Sequence, residues 1–71
     1  MKSYKDLAPY QQRVVAELSE ASCRLHSLNA FVESDEFDSV PIPEQMRLAR
    51  QHFLMALLVQ CLNERVSAFM E

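Results

Sequence analysis

Residues 48–69 read LARQHFLMALLVQCLNERVSAF, and this stretch decides the fold of the chain. Side chains that favour a helix interface recur along it in alternating steps of four and three residues, which predicts a helix with one continuous seam. The seam consists of Leu48, His52, Met55, Val59, Leu62, Val66 and Phe69. No glycine or proline interrupts the stretch, so this helix is predicted over about residues 43–69.

The first half of the chain repeats the pattern. Pro9 suits the first turn of a helix, where its missing N–H group has no partner to lose. After it the same alternating steps connect Val14, Leu18, Ala21, Leu25, Leu28 and Val32. A helix is therefore predicted over about residues 8–33, preceded by a short polar segment.

Residues 34–42 separate the two predicted helices. This segment is acidic and ends near Pro41, with Phe37 expected to fold back over the tip and Ser34 expected to cap one helical turn. A connector this short makes the helices antiparallel neighbours. The predicted fold is thus all-α, an antiparallel two-helix hairpin that forms one domain over residues 1–71.

The second helix carries more apolar surface than the first helix can cover. Residues 53–59 are consecutively apolar and point all round the axis, and a chain of 71 residues with two cysteines has few other means of stabilisation. We therefore predict that hairpins assemble into a homo-oligomeric helical bundle. The predicted interface is Phe53, Leu54, Leu57, Leu58 and Cys61. A structural or adaptor hairpin that docks onto another protein through this helix is the alternative.

Composition argues against several classes of function. Ten acidic and seven basic residues give a net charge of −3, which disfavours binding of DNA or RNA polymers. The chain has no apolar run of about 20 residues for a membrane span. Its polar start does not resemble a signal peptide, so the cytoplasm is expected. Without glycine there is no phosphate loop or oxyanion turn, and we predict a binding protein that is not an enzyme and uses no cofactor.

A zinc site is conceivable at Cys23, His26 and His52, because their side chains are common zinc ligands. Cys23 projects away from the seam of the first helix, whereas His52 lies on the seam of the second. These directions do not converge, and no metal site is predicted.

One shoulder of the first helix is the candidate site. Its members follow one another at seven-residue intervals and are Tyr10, Glu17, Arg24 and Phe31, with Arg13 and Glu20 beside them. An aromatic ring stacks on a nucleobase, guanidinium groups fork onto phosphate oxygens, and a carboxylate accepts from a base or ribose. The same pattern also fits solvated ion pairs four residues apart, Arg13 with Glu17 and Glu20 with Arg24.

The chain also resembles a known family. The residues that carry the resemblance are Tyr10–Val15, Glu17, Leu25, Leu28–Phe31 and Ser34–Phe37 in the first half, and Pro43–Gln45, Arg50, Gln51, Met55, Leu62 and Glu64–Val66 in the second. They are similar to the small helical-hairpin domain of phage anti-CBASS and anti-Thoeris sponge proteins. The resemblance implies a hexameric phage protein that acts in the cytoplasm of the infected bacterium.

The function that the resemblance implies is immune evasion. Such proteins bind cyclic dinucleotides, cyclic trinucleotides or signals of the cyclic ADP-ribose type, and they sequester them without cleaving them. Tyr10 and Arg24 match the positions of the ring that stacks on a base and the cation that binds phosphate. Arg13 is a further phosphate candidate, and Arg65 is a candidate for a separate trinucleotide pocket.

Overall fold

Two long helices make up most of the chain. The computed structural model describes residues 2–71 and begins with a 3₁₀ turn at Tyr4–Asp6. Helix α1 then spans Pro9–Val32, a second 3₁₀ turn spans Asp35–Ser39, and helix α2 spans Ile42–Phe69. Because α1 and α2 pack against each other along their lengths, the prediction of an all-α hairpin is confirmed.

The hairpin is a rod with a thin core. It measures 47 × 17 × 16 Å, and its radius of gyration is 15.6 Å, whereas a compact domain of this length has about 11 Å. Both predicted seams lie at the helix contact, and none of their members is exposed. Only Leu7, Val14 and Leu62 are buried among residues 2–71, and even Leu62 keeps 2% of its surface.

The accessible surface is large for the mass of the chain. It amounts to 5378 Å² for 8.2 kDa. Folded monomers of this mass expose about 4500 Å², so the hairpin exposes about 850 Å² more than a compact monomer would. Part of this excess comes from the elongated shape, and part comes from large apolar side chains that the partner helix leaves uncovered.

A glutamine side chain anchors the 3₁₀ turn that precedes each helix. Gln12 Nε2 donates hydrogen bonds to the carbonyl oxygens of Tyr4 and Leu7, at 3.2 and 3.3 Å. Gln45 Nε2 donates to the carbonyl oxygens of Phe37 and Val40, at 3.0 and 2.9 Å. In both cases the acceptors lie eight and five residues before the glutamine. The two halves of the hairpin therefore begin with the same device.

The start of the chain has further caps. The N–H group of Ala8 donates to Oε1 of Gln11 at 2.9 Å, which fixes the first turn of α1. Before it, the N–H and hydroxyl groups of Ser3 both donate to Oδ2 of Asp6. These hydrogen bonds, first that from the Ser3 backbone, lower the pKa of the exposed Asp6 carboxyl below its ordinary value of 3.8.

The connector closes the tip of the hairpin. Phe37 packs edge-on against Phe31, with ring centroids 6.1 Å apart, so the expectation that Phe37 folds back is confirmed. The expectation for Ser34 was wrong. Its hydroxyl donates to the carbonyl oxygen of Phe31 at 2.6 Å, and therefore ties the connector to the last turn of α1 instead of capping the turn that follows.

Candidate functional site

Tyr10 and Arg65 both contact the aromatic ring of Phe69. This contact lies at the end of the hairpin where α1 begins and α2 ends, which is called the open end below. The Tyr10 ring packs edge-on against Phe69, with centroids 6.0 Å apart and planes at 78°. The guanidinium carbon of Arg65 lies 5.9 Å from the centroid of Phe69. Because Tyr10 is 53% exposed, this contact orients its ring while leaving much of it open to a partner. An exposed ring beside a cation is suited to hold a base and an anionic group together.

Phe69 is the member of this cluster that sequence reasoning missed as a site residue. It was assigned to the seam, which is correct, since it is partly buried. The sequence did contain a sign of this contact, since Arg65 and Phe69 are four residues apart and a cation and a ring at that spacing on one helix are neighbours.

Glu17 and Arg24 line one groove between the helices. The groove has a volume of about 330 Å³, and α2 contributes Gln51, Met55 and Leu58 to its wall. Its lining is more apolar than polar, and its charged members are the carboxylates of Glu17 and Glu20 and the guanidinium group of Arg24. This combination suits a flat organic ring that carries a polar or charged substituent.

Arg24 already has an ion-pair partner. Its Nη2 lies 2.5 Å from Oε1 of Glu20, and both side chains are more than 60% exposed. Pairs of this kind contribute about 0–1 kcal/mol, so a phosphate group could replace the carboxylate at little cost. The other pair that the sequence allowed, Arg13 with Glu17, does not form within residues 2–71, and the exposed Arg13 lies outside the groove.

The structure divides the sequence-derived site residues into two groups. Tyr10 and Arg65 belong to the open end, and Glu17 and Arg24 belong to the groove. Residues at seven-residue intervals point in nearly the same direction, so both groups lie on one side of the hairpin. Tyr10 and Arg24 are nevertheless about 21 Å apart along the axis, at about 1.5 Å per residue. A compact ligand in contact with both Tyr10 and Arg24 would take them from two copies of the chain.

The outward face of α2 is widely apolar. Of the residues expected at an interface, Phe53 is 62% exposed, Leu54 52%, Leu57 47% and Leu58 45%. Cys61 is exposed as a free thiol. Two residues that sequence reasoning missed, Ile42 and Met46, are more exposed than any of these, at 65% and 69%. An apolar surface of this extent is typical of a protein–protein interface.

The opposite side of the hairpin has a groove of mixed polar and apolar lining. His26 and His52 line it together with Ser22 and Asn29, and its volume is about 410 Å³. His52 Nε2 lies 3.1 Å from Oδ1 of Asn29, which joins the two helices. Within the part of the chain that the structure describes, no three potential metal ligands lie close enough to hold an ion.

Comparisons with known proteins place the chain among phage proteins. Residues 8–68 match the sequence model of the Sequestin family. The chain is 33% identical over 60 residues to the "Uncharacterized 7.5 kDa protein in denB-rIIB intergenic region" of Enterobacteria phage T4, covering 84% of this chain and 94% of that protein. No solved structure matches it. Within residues 2–71 neither helix combines the length and hydropathy that crossing a bilayer requires.

Proposed function

This chain belongs to the Sequestin family, and from that premise we propose that it is a phage protein that binds cyclic nucleotide second messengers and sequesters them without cleaving them. The family name describes a binding role, and the similar protein comes from a phage. The proposed ligands are cyclic dinucleotides, cyclic trinucleotides and signals of the cyclic ADP-ribose type. In the cytoplasm of an infected bacterium their removal would silence the CBASS or Thoeris immune effectors that respond to them.

The observation that carries the proposal is the arrangement of Tyr10, Phe69 and Arg65. The half-exposed ring of Tyr10 is held edge-on by the ring of Phe69, and the guanidinium group of Arg65 lies over the Phe69 ring. A cyclic nucleotide needs a surface on which a base stacks and a cation that meets phosphate oxygens. The cluster offers both within one end of the hairpin.

Glu17, Arg13 and Arg24 extend the proposed site along the same side. In the groove, Arg24 would exchange Glu20 for a phosphate oxygen, and Glu17 would accept from a base or ribose. Since Tyr10 and Arg24 of one chain are far apart, the complete site is proposed to form between hairpins. Capture at nanomolar affinity requires about −12 kcal/mol, which favours a pocket that is assembled before the ligand arrives.

Self-association is the second part of the proposal. The thin core, the surplus accessible surface and the apolar outward face of α2 support a homo-oligomer, for which a hexamer is the proposed state. The same exposed face also favours an alternative function, a structural or adaptor hairpin that docks onto a different protein. In that case Phe53 and Leu57 would carry the activity, and Tyr10 would not.

Calorimetric titration tests the ligand. The purified protein is titrated with a panel of cyclic dinucleotides, cyclic trinucleotides and glycocyclic ADP-ribose, and at least one is expected to bind at sub-micromolar concentration. The bound nucleotide should be recovered intact after the complex is denatured. An absence of heat and of competition across the whole panel would refute the proposal, and recovery of a cleaved nucleotide would identify an enzyme.

Two tyrosine variants test the site. Tyr10→Ala should abolish binding because it removes the stacking ring, whereas Tyr4→Ala, at a tyrosine that is also about half exposed, should bind as the unmodified protein does. Sedimentation should show the same assembly for both variants. Equal binding by the two variants would contradict the assignment of Tyr10.

A further inference from the structure

Four exposed apolar residues form a single stripe along the N-terminal half of α2. Ile42, Met46, Phe53 and Leu57 are each 47–69% exposed. At 3.6 residues per turn their directions fall within about 60° of one another, on the side opposite the seam. The stripe is about 22 Å long at about 1.5 Å per residue.

The stripe is palindromic. Ile42 and Met46 are separated by the same interval as Phe53 and Leu57, and the centre of the pattern falls between Ala49 and Arg50. A two-fold interface brings residue i of one copy to residue j of the other, and residue j to residue i. A palindromic stripe on a straight helix meets this condition when two copies lie antiparallel.

We propose that a second copy of this chain covers the stripe, with the two α2 helices antiparallel and crossing between Ala49 and Arg50. In this pairing Ile42 lies opposite Leu57 of the other copy, and Met46 lies opposite Phe53. The small side chain of Ala49 lies beside the two-fold axis, next to Ala49 of the other copy, and lets the helices approach closely. The inference rests on the self-association proposed above and adds its register and direction.

The surface area agrees with this occupant. The hairpin exposes about 850 Å² more than a compact monomer of its mass, part of it because of its elongated shape, and an interface of standard size buries about 800 Å² on each partner. The apolar side chains of the stripe are among the most exposed in the molecule, so they would form its centre. A second copy offers the same stripe in the complementary order.

The stripe differs from the neighbouring groove of α2. Leu54 and Leu58 point sideways from it and line a separate groove with Arg47 and Arg50. The antiparallel pairing leaves this groove open and brings Arg50 of both copies to the same side of the axis. Since salt screens like charges, association should strengthen when ionic strength increases.

Complementary charges test the register. Met46→Lys and Phe53→Glu should each weaken self-association by roughly 100-fold or more, because each buries an unpaired charge twice per pair. Mixing the two variants should restore association, since the lysine of one faces the glutamate of the other while the remaining Met46 and Phe53 meet as in the native pair. A parallel pairing would give no rescue. Asn63→Glu, at an exposed position of α2 beyond the end of the stripe, is the control and should associate normally.

A cross-link gives a second measurement that does not depend on the charged variants folding alone. In a chain with both native cysteines replaced by alanine, Ala49→Cys should form a disulfide-linked dimer under mild oxidation, because the two positions meet at the axis. Ser67→Cys, exposed on the same helix, should not.

The outcomes separate the two proposals. An unmodified protein that sediments as a monomer at every concentration would refute self-association itself. An unmodified protein that associates, without rescue by mixing and without preferential cross-linking at Ala49, would refute only the antiparallel register.

Discussion

Replacing Leu62 by alanine should lower the free energy of unfolding by about 2.5 kcal/mol. Leu62 keeps 2% of its surface, so nearly the whole side chain is removed from water on folding. The substitution deletes three buried carbon atoms at about 0.8 kcal/mol each, and the cavity that remains adds a small further loss. We expect the lower part of the usual range because the half-exposed neighbours of a two-helix core can move into the space.

The matched control is Leu54→Ala on the same helix. Leu54 is 52% exposed, and alanine has a slightly higher helix propensity, so the expected loss is below about 1 kcal/mol. Urea unfolding followed by circular dichroism, at two protein concentrations tenfold apart, separates the loss within one hairpin from any loss of association. Equal losses for the two variants at the lower concentration would show that the core does not lie where the structure places it.

Three further outcomes are expected. Gln45→Ala should lower the thermal midpoint, with a loss of roughly 1–2 kcal/mol because it removes two hydrogen bonds to backbone carbonyl groups, whereas Gln60→Ala at an exposed position should have little effect. Folding lowers the pKa of Asp6, so the ionised Asp6 carboxylate stabilises the N-terminal turn fully above its ordinary pKa of 3.8, and this stabilisation is lost as pH falls through the lowered pKa. Amide exchange of residues 3–7 should therefore accelerate as pH falls below 3.8. Asp6→Asn should remove this pH dependence. Glu20→Ala should change the stability by less than about 0.5 kcal/mol and strengthen ligand binding, because it frees Arg24; weaker binding would show that Glu20 itself contacts the ligand.

The sequence predicts the hairpin well because its two seams are regular. Every residue that spacing assigned to the two seams is buried or partly buried, but the buried Leu7 before the first helix was not among them. The expectation that Phe37 folds back over the tip agrees with its contact with Phe31. These features depend on periodicity and hydrophobicity, which are properties of neighbouring residues.

Other features depend on three-dimensional contacts that spacing does not reveal. The hydrogen bonds of Gln12 and Gln45 share one pattern, but it is not one of the usual helix caps that can be recognised from sequence. Ser34 could have bonded either to the turn that follows it or to the last turn of α1. Arg65 was separated from Tyr10 because they lie at opposite ends of the sequence, although the antiparallel arrangement places both beside Phe69. Ile42 and Met46 were not predicted at the interface because they lie outside the continuous apolar run at residues 53–59 and belong to the stripe only through their direction on the helix.

The thin core has a consequence for the life of the protein in a cell. No side chain within residues 2–71 is fully buried, so the proposed association, by covering the outward face of α2, would add to the stability of each hairpin and would couple folding to assembly. Freshly made chains at low copy number would then be open to proteases, and those that find one another would survive. The quantity of working protein would rise more steeply than the rate of synthesis, which gives expression a threshold below which the chain has no effect.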